Sequence, residues 1–243
     1  MIILFTDFGA NGPYLGQISS VLAKNAPDHP VINLLSNAPK FNPRASAYLL
    51  AALETDFPKN SIFVCVVDPG VGGDRLPLVL NIDGKIFVGP DNGLFSIVAR
   101  RGLNVSAKEI TWRPDRLSVS FHGRDLFAPI AAMIATGKNF KCKTIEINAL
   151  KGTDWPEDLA SIIYIDHYGN AMTGIRAQKL TSSSQIEWSG KLFSYAKTFS
   201  NVEVGEAFWY ENANGLVEIA VNHGEANALG FRIGDAISVL EAR

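Results

Sequence analysis

The chain has 243 residues, 47% of them hydrophobic, and a formal net charge of -2. That is enough for one large domain or two modest ones with an ample core. No lysine/arginine run offers a surface to nucleic acid or an anionic membrane, and no apolar stretch is long enough to span a bilayer.

Met1-Ile2-Ile3-Leu4-Phe5 lacks a positive n-region and a small-residue cleavage site, so no signal peptide is expected. Met1 to Phe5 reads as a short buried strand, followed by a turn at Thr6-Asp7-Phe8-Gly9. Pro13 to Lys24 has helical composition, Val31 to Leu35 reads as a strand, and Pro43 to Glu54 as a helix. The run from Ile62 is apolar and β-branched, the pattern of a strand buried on both faces, and it ends at Asp68 in a Pro/Gly turn. Cys65 lies inside it as a small hydrophobe; with Cys142 it makes two cysteines in all, which fits a reduced, cytoplasmic setting. This β-α-β-α-β alternation predicts a mostly parallel sheet.

Leu76 to Ile82 and Lys85 to Val88 flank Asp83-Gly84, a hairpin signal. A turn at Gly89 to Gly93 precedes a helix to about Arg101, and Leu126 to Ala135 is a core helix. From about Lys141 short alternating stretches (Ser161 to Ile165, Leu216 to Val221, Ala236 to Leu240) are separated by Gly, Asn and Ser turns. They predict a small antiparallel β-barrel or sandwich. The expected division is an α/β domain over 1–150 and a β-barrel domain over 157–243, with Lys151 to Pro156 as linker.

Ligands in open parallel sheets bind beyond the carboxyl ends of strands. Asp7, Asp68 and Asp91 stand there, with Arg75 across a glycine loop from Asp68 and His122-Gly123-Arg124-Asp125 before the core helix. Asp166-His167-Tyr168-Gly169-Asn170 follows a strand of the second domain. Each has a plainer reading: a loop ion pair for Asp68 and Arg75, caps for Asp7 and Asp91, a helix-start histidine, and a tight turn with Asn170 left-handed. Asp7, Asp68, Asp91 and His122 could also hold a divalent metal, although no His-x-His or His-x-x-x-His spacing is present. No phosphate-cradling Gly motif and no Gly-x-Ser-x-Gly elbow occurs.

Together these pieces resemble a known family. Phe5-Thr6-Asp7-Phe8-Gly9, Val66-Val67-Asp68-Pro69-Gly70-Val71-Gly72 with Arg75, Gly89 to Leu94, Phe121 to Pro129, Asp166 to Asn170 and Gly215 to Asn222 stand in family order over nearly the whole chain. They are similar to the S-adenosyl-L-methionine (SAM) hydrolases (adenosine-forming), also called SAM hydroxide adenosyltransferases, relatives of fluorinase and chlorinase.

The resemblance implies an N-terminal α/β domain, a C-terminal β-barrel, and a homotrimer with SAM between neighbouring subunits. Water or hydroxide would attack the ribose C5′ of SAM, with the R-sulfonium epimer preferred, giving adenosine and methionine. Asp68, Arg75 and His122 would form the water-handling triad. Asp7 would hold the ribose hydroxyls, Asn170 and Tyr168 would read and stack the adenine, Asp166 would face the methionine ammonium, and the backbone near Val221 would touch the adenine. SAM being the substrate, no cofactor or metal is implied.

The chain departs from the family where Ile32-Asn33-Leu34-Leu35-Ser36 lacks an acid and an imidazole, and where Asn212-Ala213-Asn214 replaces the Asn-Ser-Arg of the halogenases. The alternatives are a SAM- or nucleoside-binding sensor with little turnover, a SAM-dependent halogenase, and a metal-dependent hydrolase.

Overall fold

The computed structural model describes residues 1–241. They divide into two compact units, one of Met1–Leu50 with Glu54–Trp155, the other of Ala51–Leu53 with the chain from Pro156 onward.

In the first unit the strands are β1 (Ile2–Thr6), β2 (Val31–Leu35), β3 (Ile62–Val66), β4 (Pro77–Ile82), β5 (Lys85–Pro90), β6 (Val105–Ile110) and β7 (Cys142–Ile145). They form one sheet in the order β2-β1-β3-β5-β4-β6-β7. β2, β1, β3 and β5 are mutually parallel, while β4 runs against both β5 and β6, and β7 against β6. The sheet is therefore mixed, with its parallel part at the end where the strand-end carboxylates lie. β1 and β3 are buried at every residue, as their unbroken apolar runs require, whereas the edge strand β2 leaves Ile32 and Asn33 exposed.

Helices α1 (Tyr14–Asn25), α2 (Pro43–Leu53), α3 (Ser96–Arg101) and α4 (Ala128–Ala135) complete this layer. Ile18 and Leu22 of α1 share one core with Ile2, Leu4, Val64, Val66 and the Ile130-Ala131-Ala132 face of α4. α2 starts at Asn42, whose side chain accepts from Ala45 N at 3.0 Å with Pro43 next in line. Such a cap contributes about 1 kcal/mol. Between β4 and β5, Asp83 (φ 51°) and Gly84 (φ 87°) both take the left-handed conformation of a two-residue hairpin turn.

β7 follows the change of character at Lys141 and belongs to the first sheet, where it pairs with β6. Within the Lys151–Pro156 stretch, Arg100 donates to Thr153 O (2.9 Å) and Trp155 O (2.5 Å), and Arg44 lies over the Trp155 ring.

In the second unit, β8 (Leu159–Ile165), β9 (Ala171–Arg176), β12 (Ala207–Glu211) and β13 (Leu216–Val221) form an antiparallel sheet in the order β12-β13-β9-β8. β10 (Gln185–Trp188), β11 (Lys191–Phe193) and β14 (Ser238–Leu240) form a second, in the order β11-β10-β14. Isolated bridges join Tyr195 to Trp209 and Ser161 to Ala236. Ile162, Ile186, Trp209, Val217 and Ile219 fill the core, and the indole N–H of Trp209 donates to Ser184 O at 2.9 Å.

Candidate active site

The ends of β1 and β3 lie side by side, so Asp7 and Asp68 emerge together. Arg75 returns across the 69–74 loop and donates from Nε to both oxygens of Asp68 (3.1 and 3.0 Å) and from Nη2 to Oδ2 at 2.5 Å. Both side chains are nearly closed off from solvent, 10% exposed for Arg75 and 3% for Asp68. The loop that allows this depends on Gly72, whose φ is 82° and where a Cβ would fall 2.7 Å from Val119 O.

The same guanidinium reaches His122: Arg75 Nη2 lies 2.7 Å from Nδ1. Arginine can only donate, so Nδ1 accepts and the ring proton sits on Nε2. Burial, and then the Arg75 charge, pull the His122 pKa below its ordinary value. Asp68, Arg75 and His122 are thus one hydrogen-bonded chain, as the spacing alone could not show. His122 opens a π-helical turn, Gly123–Phe127, that runs into α4. This corrects the expected helix start at Leu126. Such turns concentrate at functional sites.

The His122-Gly123-Arg124-Asp125 run divides. His122 joins the triad, whereas Asp125 takes a bidentate ion pair from Arg124 and accepts from Ser118 N at 2.8 Å, bracing the preceding loop. Asp7, Asp68 and His122 line a small cavity of about 90 Å³ together with Phe8, Phe41, Ser120 and Phe121. Burial raises the Asp7 pKa, against the effect of Phe41 N, which donates to Asp7 Oδ2 at 3.1 Å. Phe41 was not singled out in the sequence. Its backbone is left-handed (φ 56°) and the residue is 77% exposed, an unusual combination for an aromatic residue.

Asp91 is not in this group. It is buried and accepts from Lys151 N at 3.0 Å, while Asn92 ties its loop to Val67 O at 2.8 Å. Among the described residues no three His, Cys, Asp or Glu side chains gather in a metal-holding group. Cys65 is fully buried and burial raises its pKa, and Cys142 is exposed.

The second unit carries its own cleft of about 660 Å³, into which Asp166, Tyr168, Asn170 and Val221 all face. Asp166 Oδ1 accepts from Tyr168 N and Asn170 N, both at 2.9 Å, and Oδ2 accepts from the Asn170 amide at 3.3 Å. The left-handed residue of this turn is Gly169 (φ 79°) and not Asn170, and a Cβ at 169 would also lie 2.8 Å from that of Glu225. Tyr168 is 74% exposed and Asn170 only 6%. Asn212, Ala213 and Asn214 line the cleft, and Asn212 Oδ1 accepts from Asn214 N and Leu216 N.

The floor holds a group that the sequence reading missed. Glu218 is 2% exposed, accepts from the hydroxyl of Tyr210, and accepts from Asn212 Nδ2 at 2.7 Å. Burial raises its pKa, and burial with the Glu218 contact raises that of Tyr210. The signal was present: Glu218 is the one charged residue in Leu-Val-Glu-Ile-Ala-Val. Glu218, Asp166 and Glu225 line the cleft with neither Lys nor Arg, which suits a cationic ligand.

Comparison with known proteins gives the family. The SAM hydroxide adenosyltransferase N-terminal domain matches residues 2–143, and the C-terminal domain of the same name matches residues 160–238. The (R)-S-adenosyl-L-methionine hydrolase of Thermus thermophilus is 32% identical, over 98% of this chain and 99% of that one. The hydrolase of the same name from Salinispora arenicola is 33% identical, over 96% and 95%. The crystal structure of an uncharacterized conserved protein from Thermotoga maritima superposes with a TM-score of 0.89 at 28% identity, covering 99% of this chain and 100% of that one. The chain belongs to the SAM hydroxide adenosyltransferase family.

Proposed function

We propose that this chain hydrolyses S-adenosyl-L-methionine, acting on the R-sulfonium epimer, to adenosine and L-methionine. The observation that carries the reading is the Asp68–Arg75–His122 chain of hydrogen bonds, which places Asp68 and His122 on the wall of the 90 Å³ cavity with Arg75 behind them. That volume suits about three waters.

His122 presents its Nε2–H to the attacking water and orients it, while Asp68, fixed by Arg75, takes the water's proton. The water oxygen bonds to C5′ as the C5′–S bond breaks and its electron pair leaves with sulfur. The leaving group is a neutral thioether, so no general acid is needed. Attraction between the carboxylates and the sulfonium helps binding but fades as the charge disappears, so catalysis rests on placing and partly desolvating the water.

Asp7 holds the ribose hydroxyls, Asn170 and Tyr168 take the adenine with the backbone at Val221, and Asp166 faces the methionine ammonium. Asp166 has room for this, since a carboxylate offers about four acceptor sites and three donors occupy it. The reaction draws on no cofactor. The sheets of the second unit close into a barrel, a reading supported by the Tyr195–Trp209 and Ser161–Ala236 bridges at their two margins. The chain acts as a cytoplasmic homotrimer with substrate between neighbouring subunits, which sedimentation of the purified protein tests.

The test of the chemistry is chromatography after incubation with epimerically mixed SAM, chloride and EDTA, beside a His122→Ala control. Adenosine and methionine, lost in the control, are expected. A 5′-chloro product would place the chain with the halogenases, and binding of adenosine without turnover would make it a sensor.

A further inference from the structure

The donors by which Arg75 holds the site are spent within one plane. Nε and Nη2 hold Asp68, and Nη2 also reaches His122 Nδ1 at 2.7 Å. A guanidinium is a flat fork whose N–H groups lie in its own plane. Such bonds resist a slide within that plane and give little resistance to a tilt out of it. A tilt would cost the site twice, because one nitrogen, Nη2, serves both Asp68 and His122.

One face of the fork is covered by an aromatic ring. Arg75 Cζ lies over the Phe127 ring, 5.5 Å from its centroid. That is inside the range of about 6 Å in which a ring face attracts a cation. Phe127 is fully buried and the Arg75 side chain only 10% exposed, so water screens this attraction weakly. Phe127 also comes from the turn that His122 opens. In an α-helix, residues five apart would point about 140° away from each other. Here Ala128 N donates to Gly123 O, the i→i+5 bond of a π-helical turn, and the wider turn brings His122 and Phe127 to one guanidinium.

We infer that Phe127 is a positioning residue, whose ring face keeps the Arg75 guanidinium in the plane from which it donates to Asp68 and His122 together. This rests on the reading of that triad as the water-handling part of a SAM hydrolase. Phe127 does not line the 90 Å³ cavity and acts on the water only through Arg75. It also shares the core of Leu126, Ile130 and Val64, so filling space is a plainer role for the same ring. Electronics separate the two roles. Ring fluorines draw negative charge away from the face and change the shape little, and a ring that only fills space is indifferent to that.

The experiment is steady-state hydrolysis of (R)-SAM by the full-length protein carrying mono-, di- or trifluorinated phenylalanine in place of Phe127, beside wild type and F127L. Thermal melts establish folding. Turnover number is expected to fall stepwise with each fluorine, by about tenfold in all. KM should stay within about twofold, and the melting temperature should hardly move. F127L, which keeps an apolar side chain and removes the π face, should lose at least as much turnover. Unchanged turnover across the folded fluorinated proteins overturns the inference and leaves the hydrolase reading in place. A loss confined to KM overturns it as well, by assigning the ring to binding. Absence of SAM hydrolysis by wild type overturns both readings. If F127L does not fold, the fluorinated series decides alone.

Discussion

Arg75 Nη2 and His122 Nδ1 are 2.7 Å apart, with the Asp68 carboxylate on the other side of the same guanidinium. A fixed cation that donates to Nδ1 opposes protonation there. The imidazole is thereby kept as a neutral donor whose sole N–H is on Nε2.

A pH effect follows. His122 has its pKa lowered in the folded state, first by burial and then by Arg75, so the unfolded chain binds the proton more readily. Stability contributed by this group is complete above the unfolded histidine value of about 6.5 and is lost as pH falls below it. Melting temperatures of wild type should fall between pH 7.5 and 5.5 more steeply than those of H122N. Hydrolysis should show an acid limb with its midpoint below the ordinary histidine value. A midpoint above it would contradict the neutral donor.

Arg75→Lys keeps a charge but replaces a planar fork by a single ammonium, which cannot hold Asp68 through two nitrogens and reach His122 as well. Turnover number should drop by about a hundredfold with little change in KM, the signature of a lost transition-state arrangement. Steady-state kinetics by product chromatography would show it; a change confined to KM would assign Arg75 to binding.

Gly72→Ala should be destabilising. The site is left-handed and the new methyl would meet Val119 O at 2.7 Å. About 1–3 kcal/mol is the expected loss by chemical denaturation, with activity falling further because the 69–74 loop returns Arg75 to Asp68.

Phe41→Gly should act in the opposite direction on stability. Relief of the left-handed backbone at φ 56° and the loss of a ring from a 77% exposed residue leave little to offset. A gain of up to about 1 kcal/mol is expected. KM should rise several-fold, since the ring flanks the cavity. Stabilisation without a change in KM would remove Phe41 from the binding site.

Asp91→Asn should lower the melting temperature by a few degrees through the weakened Lys151 N contact and leave turnover within about threefold. Loss of activity in a folded D91N protein would bring Asp91 back into the chemistry.

The parallel character of the first sheet was legible because β1 and β3 are uninterrupted apolar runs alternating with helices, and the antiparallel β4–β5 pair because Asp83-Gly84 favours a tight hairpin. Asp68, Arg75 and His122 could be named from their motifs, but their union through one guanidinium depends on a fold that brings residues 47 positions apart within hydrogen-bonding distance. Asp7, Asp68 and Asp91 looked alike as strand-end acids. They differ because Lys151, sixty residues on, donates to Asp91, a contact with no local trace in the sequence. Phe41 stayed hidden because its importance lies in its backbone angle, and Glu218 because a strand made of apolar residues drew attention away from its single acid.

The π-helical turn at Gly123–Phe127 holds one residue more than an α-helical turn of the same rise would need. Deleting a single position within it would let the segment wind as a regular helix continuous with α4, and the backbone would gain better-aligned hydrogen bonds. The same change would swing His122 about 100° around the helix axis, away from Arg75. The fold therefore keeps a slightly worse helix in order to hold one imidazole, and among natural variants a shortened turn would mark chains that have kept the scaffold and given up the chemistry.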